Sequence, residues 1–203
     1  MPDVSVNGAE LVLASGNAGK LRELADMLGP LGYRLRPQSD WDTPEAVEDA
    51  PTFVENALLK ARHAAAHTGR AAIADDSGLV VPALGGEPGI YSARYAGRHG
   101  DDAANNVRLL ENMADLQGDD RRAYFFCAVV LTRSPTDPAP VIATARWHGD
   151  ILRAPRGEGG FGYDPLFRVA GGELSSAELD RAEKNRISHR GQAVAALVAA
   201  LES

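Results

Sequence analysis

Apolar residues at helical spacing mark four segments of the chain. Residues that recur at intervals of three and four positions share one face of a helix. The four predicted helices cover residues 21–28, 54–61, 107–114 and 194–201. In the third helix the apolar stripe is Val107, Leu110 and Ala114, and the second helix follows a capping-box sequence, Thr52-x-x-Glu55. The simplest interpretation of each stripe is a face that packs on a core.

Short apolar runs between the helices predict strands. They cover residues 11–14, 71–74, 124–132 and 141–147. The last two flank residues 133–140, a stretch rich in proline that predicts a long antiparallel hairpin. Helices that alternate with early strands, together with a later hairpin, are typical of an α/β protein with a mixed sheet. No clear boundary interrupts the pattern, so residues 1–203 are expected to form a single domain.

Composition narrows the classes of function. The 203 residues are 44% hydrophobic and 24% charged, as in ordinary soluble proteins, and the net charge is −7. This acidic balance argues against binding to a nucleic-acid polymer, which needs many Lys or Arg contacts to phosphate. No apolar stretch reaches the length of a membrane span and no secretion signal is recognisable, so we expect a cytoplasmic protein without membrane contact. The single cysteine, Cys127, lies in an apolar run and is expected to be buried and inert.

The first candidate for chemistry is the stretch S-G-N-A-G-K at residues 15–20. It follows a predicted strand and opens a predicted helix, so backbone N–H groups and the positive end of the helix dipole can face an anion. It resembles a phosphate loop of the G-x-x-x-x-G-K-[ST] type, but Ala14 and Leu21 replace the first glycine and the final Ser/Thr. The alternative is an ordinary strand-to-helix turn with Asn17 as the cap.

Two adjacent aspartates, Asp75 and Asp76, end the second predicted strand and precede Ser77 and a glycine. Side chains alternate along a strand, so the two carboxylates are expected to point in different directions. One of them could enter a site while the other braces the backbone, and carboxylates in such a place are suited to a divalent cation. The alternative is an Asx-type turn. The acidic stretch 45–49 could add a metal ligand, although such stretches are more often solvated loops.

Two later stretches carry further candidates. Glycines surround Phe161 in residues 159–167, where an aromatic ring could stack on a base, and Asp164 precedes a proline that restricts its backbone. A turn that packs aromatic rings into a core explains the same residues. Residues 183–191 concentrate donors ahead of the last helix, where the dipole disfavours cations unless an anion is bound. A charged helix entry is the alternative.

Together these stretches resemble the inosine triphosphate pyrophosphatase family of XTP/dITP diphosphatases. The shared motifs begin with S-G-N-A-G-K and end with I-S-H-R at 187–190. Between them lie T-F-V-E-N-A at 52–57, A-D-D-S-G-L at 74–79, G-I-Y-S-A-R-Y at 89–95 and G-F-G-Y-D-P at 160–165. Each motif is weak alone, but their order and spacing over nearly the whole chain are specific. The resemblance identifies the first stretch as this family's triphosphate loop.

The resemblance implies an elongated, mixed α/β fold in which helices flank the sheet and two lobes surround a central nucleotide-binding cleft. It also implies a homodimer that requires Mg²⁺. The implied reaction is hydrolysis of inosine, deoxyinosine and xanthosine triphosphates (ITP, dITP and XTP) to the monophosphate and pyrophosphate, which removes deaminated purines from the nucleotide pool. Two alternatives stay open: a diphosphatase with a broader or standard-nucleotide preference, and a nucleotide sensor without turnover.

The matching motifs also imply roles for single residues. Phosphate would contact Ser15, Gly16, Asn17, Ala18, Gly19, Lys20 and Ser77. Nucleoside and base would contact Phe161, Gly162, Tyr163, Asp164, Lys184, His189 and Arg190. Glu48 and Asp76 resemble the metal carboxylates, and Asp76 occupies the position of the general base. Glu45 or Asp49 could replace Glu48, and Lys60 could help Lys20 to offset the charge of the triphosphate.

Overall fold

The computed structural model describes residues 10–202. Over this range the helices are α1 Ala18–Leu28, α2 Phe53–Thr68, α3 Asp102–Asn112, α4 Arg181–Ile187 and α5 His189–Leu201. The strands are β1 Glu10–Leu13, β2 Arg34–Pro37, β3 Ala72–Val80, β4 Arg122–Thr132, β5 Val141–Ile151 and β6 Phe167–Val169. None of the helices in this range is both long and apolar enough to cross a lipid bilayer.

The six strands form one sheet in the order β2-β1-β3-β4-β5-β6. β1 is parallel to both β2 and β3, whereas β5 is antiparallel to β6. The sheet is therefore mixed and the α/β prediction is confirmed. β4 and β5 are neighbours, as the predicted hairpin requires. In the connection between them the Asp137 carboxylate accepts hydrogen bonds from the amides of Arg133 and Ala139 at 2.9 and 3.0 Å.

The chain divides into two compact units. The first unit contains the chain up to Asp76, residues Cys127–Thr144 and the chain from Arg190 onward. The second unit contains Ser77–Phe126 and Ala145–His189. The strands β3, β4 and β5 each contribute residues to both units. The predicted single domain and the predicted elongated shape with a cleft stay predictions.

In the first unit β1 is buried, and helix α2 has mainly small side chains on its buried face. Leu11, Leu13 and the following Ala14 are at most 2% exposed. The buried face of α2 is mainly alanine, which allows a helix backbone to lie close to a sheet. The helix begins where the Thr52 hydroxyl accepts a hydrogen bond from the Glu55 amide at 3.2 Å, so the predicted cap is confirmed.

One tryptophan lies in each unit. In the first unit the Trp41 ring lies against two guanidinium groups, with Arg36 at 4.6 Å and Arg70 at 5.4 Å from its centroid. In the second unit Trp147 is buried, and its ring centroid lies 5.2 Å from that of Phe167. The second unit thus has an aromatic core, to which leucines and Met113 contribute further apolar side chains.

The sequence pattern predicted the buried face of α3 only in part, since Leu110 packs against the aromatic core as expected. Val107 was expected to face the core, but it is 56% exposed. The buried positions of this helix are Asn105 and Leu109. Asn105 is buried because its side-chain oxygen accepts a hydrogen bond from the Ala96 amide at 2.8 Å, which ties the preceding loop to the helix. A polar residue therefore occupies a position that the apolar pattern could not identify.

Cys127 is free and fully buried in the first unit, as predicted. Burial raises the pKa of its thiol to about 12. At pH 8 only about 10⁻⁴ of the folded molecules would therefore carry the reactive thiolate. We expect Ellman's reagent to leave the native protein unmodified for hours at pH 8 and to release one equivalent per chain in guanidinium chloride. Complete reaction of the native protein within minutes would contradict this placement.

Candidate active site

The loop from 14 to 20 joins β1 to α1 through a side-chain cap. The Asn17 side-chain oxygen accepts hydrogen bonds from the amides of Gly19 at 2.8 Å and Lys20 at 3.1 Å. The Ser15 hydroxyl accepts one from the Asn17 amide at 3.1 Å. The loop therefore contains the Asn17 cap that the simpler interpretation predicted. Anion binding by this loop stays a prediction.

A buried ion network lies beneath this loop in the first unit. Asp75 is 1% exposed and forms ion pairs with Lys20 and Arg190, each at 3.1 Å. The Arg190 guanidinium also forms an ion pair with Glu23 of α1. Burial alone would raise the pKa of Asp75, but Lys20 and Arg190 hold it well below its ordinary value. The network joins α1, β3 and the start of α5 through a single carboxylate.

Asp76 forms its ion pair with Lys60. The Lys60 ammonium of α2 donates a hydrogen bond to Asp76 at 2.9 Å and another to Glu48 at 3.0 Å. Adjacent residues of a strand face opposite ways, so the Asp75 carboxylate pairs with Lys20 and Arg190 whereas the Asp76 carboxylate pairs with Lys60. Burial lowers the pKa of Lys60, but the carboxylates of Asp76, Glu48 and Asp75 outweigh that effect and raise it. Burial also raises the pKa of the Asp76 carboxyl, against the opposing effect of Lys60.

The two carboxylates that bind Lys60 could form part of a cation site. Asp76 and Glu48 each place an oxygen within about 3 Å of one positive group, and carboxylate oxygens are the ligands that Mg²⁺ prefers. No group of three or more His, Cys, Asp or Glu residues that could hold a metal ion occurs among residues 10–202. A metal bound by this pair would therefore need oxygens from substrate or water, which is common for Mg²⁺. The Glu45 carboxylate lies beside the loop from 15 to 20: it would be 3.0 Å from a Cβ placed on Gly16.

The second unit has its own buried carboxylate, Asp164. It accepts hydrogen bonds from the Phe161 amide at 2.8 Å, the Ser176 hydroxyl at 2.7 Å and the Lys184 ammonium at 2.7 Å. The Lys184 nitrogen also lies 5.0 Å from the centroid of the Phe161 ring, within cation–π distance. These contacts group three of the predicted nucleoside residues within one unit.

Gly160 is required by this arrangement. Its φ is 76°, and a Cβ placed there would lie 2.0 Å from an Asp164 carboxylate oxygen. A side chain at this position would therefore both strain the backbone and displace Asp164. The glycine-rich stretch 159–162 is thus shaped around a carboxylate.

Three other predicted residues of the second unit are wholly or partly buried. The His189 ring is buried and stacks on Phe125, with centroids 4.8 Å apart and planes 11° apart. The Tyr163 hydroxyl donates a hydrogen bond to the Ser92 carbonyl at 2.9 Å, and burial raises the pKa of Tyr163. Ser77 lies half-buried in β3. Their roles in binding stay predictions.

The model of the Ham1 family matches residues 11–200. The chain belongs to the Ham1 family. The dITP/XTP pyrophosphatase of Thioalkalivibrio sulfidiphilus is 54% identical to it over 193 residues, which cover 95% of this chain and 98% of that protein. The resemblance found in the motifs is thereby confirmed.

Solved Ham1 structures have the same fold. A HAM1 protein from Coxiella burnetii matches with a TM-score of 0.87 and 47% identity, covering 95% of this chain and 98% of that one. The nucleoside-triphosphatase, dITP/XTP pyrophosphatase, of Mycobacterium abscessus matches with a TM-score of 0.76 and 44% identity, covering 95% and 100%. The α/β architecture is therefore that of other Ham1 proteins.

The site of this Ham1 chain contains one residue that the motifs did not indicate. Glu23 is 9% exposed and pairs with Arg190. It lies three positions after Lys20, on the same face of α1, and this spacing is the only signal in the sequence that could have found it. Arg190 itself is 2% exposed, so the structure gives it a role in holding Asp75 and Glu23.

We expect Asp75→Asn to lower the free energy of unfolding by about 3–5 kcal/mol, because the substitution leaves buried cations without their shared carboxylate. Urea denaturation followed by circular dichroism would measure it. Asp40→Asn is the matched control in the same unit, since Asp40 pairs with Arg36 at 2.7 Å on the surface and such a pair contributes about 1 kcal/mol or less. Equal effects of the two substitutions would contradict the assigned importance of the buried network.

Proposed function

We propose that this Ham1 chain hydrolyses non-standard purine nucleoside triphosphates, namely ITP, dITP and XTP, to the monophosphate and pyrophosphate. The observation that carries the proposal is its 54% identity, over nearly the whole of both chains, to proteins named dITP/XTP pyrophosphatase. The geometry supports it, because the residues needed for polyphosphate and metal form one charged group in the first unit. The function would remove deaminated purines from the nucleotide pool.

In this proposal the first unit binds the polyphosphate. A protein with a net charge of −7 must gather cations locally before it can hold a triphosphate. Lys20 and Lys60 provide such cations, and each forms an ion pair with one of two adjacent residues of β3: Lys20 with Asp75 and Lys60 with Asp76. The glycines of the loop would let its backbone approach phosphate oxygens closely.

We assign Glu48 and Asp76 as the carboxylates that would hold Mg²⁺. When bound, Mg²⁺ would offset the polyphosphate charge and stabilise the departing pyrophosphate. Asp76 would also accept the proton of the attacking water, and the rise in its pKa caused by burial makes it a stronger base than an exposed aspartate. The water oxygen would form a bond to the α-phosphorus while the bond from that phosphorus to the pyrophosphate oxygen breaks.

In this proposal the second unit supplies recognition of the purine. Phe161 would stack on the base, and Asp164, Lys184 and His189 would surround it together with the Gly162 and Tyr163 backbone. Hypoxanthine and xanthine carry a 6-oxo acceptor where adenine carries an amino donor, so the cationic Lys184 favours the first two bases. The buried ion pairs of Arg190 favour a bracing role for that residue over direct contact with the base.

We further propose that the protein is a cytoplasmic homodimer, which is the state that the resemblance implied. Light scattering coupled to size-exclusion chromatography would distinguish a dimer from a single chain of 21.5 kDa.

The proposed function predicts a specific substrate profile. With Mg²⁺ present, ITP, dITP and XTP should release pyrophosphate faster than ATP by about 10⁴, because a mismatched purine leaves buried polar groups unpaired. Pyrophosphate and monophosphate should be measured with ITP, dITP, XTP, GTP, dTTP and ATP, and EDTA should abolish the release. Equal rates across the panel would exclude the specificity, and binding without turnover would instead favour a sensor.

The roles assigned to Asp76 and Glu48 predict different kinetic effects when each residue is substituted. Asp76→Asn should lower kcat for ITP by about 10² or more, because the variant retains the shape of the side chain but not its basicity. Glu48→Gln should raise the Mg²⁺ concentration needed for half-maximal rate. Both should be compared by initial rates across a Mg²⁺ titration.

Glu45→Gln and Asp49→Asn are the matched controls, since both residues lie in the same acidic stretch and are exposed. Rates close to those of the unmodified protein are expected for both. A larger shift in the Mg²⁺ requirement for either control than for Glu48→Gln would reassign the metal carboxylate.

A further inference from the structure

Two side chains of helix α3 bind the backbone of Gly162, the residue that follows Phe161. The Gly162 amide donates a hydrogen bond to the Asp102 carboxylate at 2.7 Å. The Gly162 carbonyl accepts one from the Asn106 side-chain amide at 2.8 Å. Asp102 and Asn106 are four positions apart and therefore lie on one face of the helix. Both polar atoms of Gly162 are thus bound by side chains that belong to a different part of the sequence.

The orientation of these two side chains is fixed. The Asn106 side-chain nitrogen also donates to the Asp102 backbone carbonyl at 2.9 Å. Both of its partners are carbonyl oxygens, which only accept, so the NH₂ group and not the oxygen must face them. Asp102 lies in the first turn of α3, where a negative charge is favoured by the helix dipole.

The same contacts determine where Phe161 lies. Gly162 has a φ of 63°, a left-handed conformation that glycine adopts without steric penalty. On the other side of the turn, the Phe161 amide is bound by Asp164 at 2.8 Å. The backbone of Phe161 is therefore fixed through its own amide and through the next peptide group. Its ring is in turn held with its centroid 5.0 Å from the Lys184 nitrogen.

We propose that Asp102 and Asn106 are positioning residues for purine recognition, which they serve by fixing the Gly162 peptide and with it the Phe161 ring. This inference rests on the proposed function, in which Phe161 stacks on the base. Neither residue is in a motif that carried the resemblance. Loss of either contact would allow the turn to move and would weaken binding of the purine without removing a group that acts on phosphate.

The test uses Asp102→Ala, Asp102→Asn and Asn106→Ala in the full-length protein. The affinity for inosine monophosphate, measured by calorimetry, should fall about tenfold in the two alanine variants, as expected for loss of one well-placed hydrogen bond. KM for ITP should rise by a similar factor, while kcat changes less than about twofold. Asp102→Asn retains an acceptor for the Gly162 amide and should recover most of the affinity, and Asn106→Ala decides the question if Asp102→Ala does not fold.

Asn112→Ala is the matched control, because it removes an asparagine of the same helix that donates to the Tyr95 hydroxyl at 2.6 Å and does not involve Gly162. It should leave the affinity for inosine monophosphate unchanged. A double-mutant cycle with Phe161→Leu separates positioning from general stability: the effect of Asn106→Ala should largely disappear when the ring is absent.

Unchanged affinity in the alanine variants, or full additivity with Phe161→Leu, would overturn the inference. The positioning role and the proposed hydrolysis are separable, because monophosphate binding does not require turnover. If the unmodified protein binds inosine monophosphate but releases no pyrophosphate from ITP, the proposed hydrolysis fails while the positioning role is still decided. No binding of the monophosphate by the unmodified protein would overturn the positioning role, while pyrophosphate release from ITP would still decide the proposed hydrolysis.

Discussion

The first unit depends on the burial of a single carboxylate, Asp75, between Lys20 and Arg190. A buried charge without its partners is strongly destabilising, so α1, β3 and α5 can pack together only when all three side chains are in place. The same interaction fixes the strand at Asp75 and therefore the direction of Asp76, its neighbour. The geometry of the proposed metal carboxylates thus follows from a residue that is itself shielded from solvent.

The second unit also contains a buried carboxylate whose partners are side chains and a backbone amide. Asp164 is buried and has three donors, from Phe161, Ser176 and Lys184. Here the carboxylate organises a turn instead of joining helices to a strand, and Gly160 leaves the space that it needs. Each unit therefore contains a buried carboxylate that is held by several donors, with candidate residues arranged around it, which explains why so many of these residues are charged and yet poorly accessible.

Sequence reasoning predicted those parts of the protein whose signals are local. The helix that begins after Thr52 and the strand ending at Leu13 have caps and apolar runs that act within a few residues. The strand β2 was missed because Arg34–Pro37 is polar, short and at the edge of the sheet, and β6 has only three residues. Asp75, Asp76 and Lys20 were found through motifs, and Glu23 is indicated only by its spacing from Lys20. Asp102 contacts Gly162 only through tertiary packing, which no spacing along the chain encodes.

The placement of one tryptophan in each unit has a practical consequence. Trp41 lies beside cationic side chains and Trp147 lies in an apolar aromatic core, so the two indoles have contrasting surroundings. The chain contains no other tryptophan. Two single-tryptophan forms would therefore report the melting of each half of the molecule by intrinsic fluorescence, without any added dye. Coincident emission changes would reveal cooperative unfolding, and separated ones would reveal halves that melt independently.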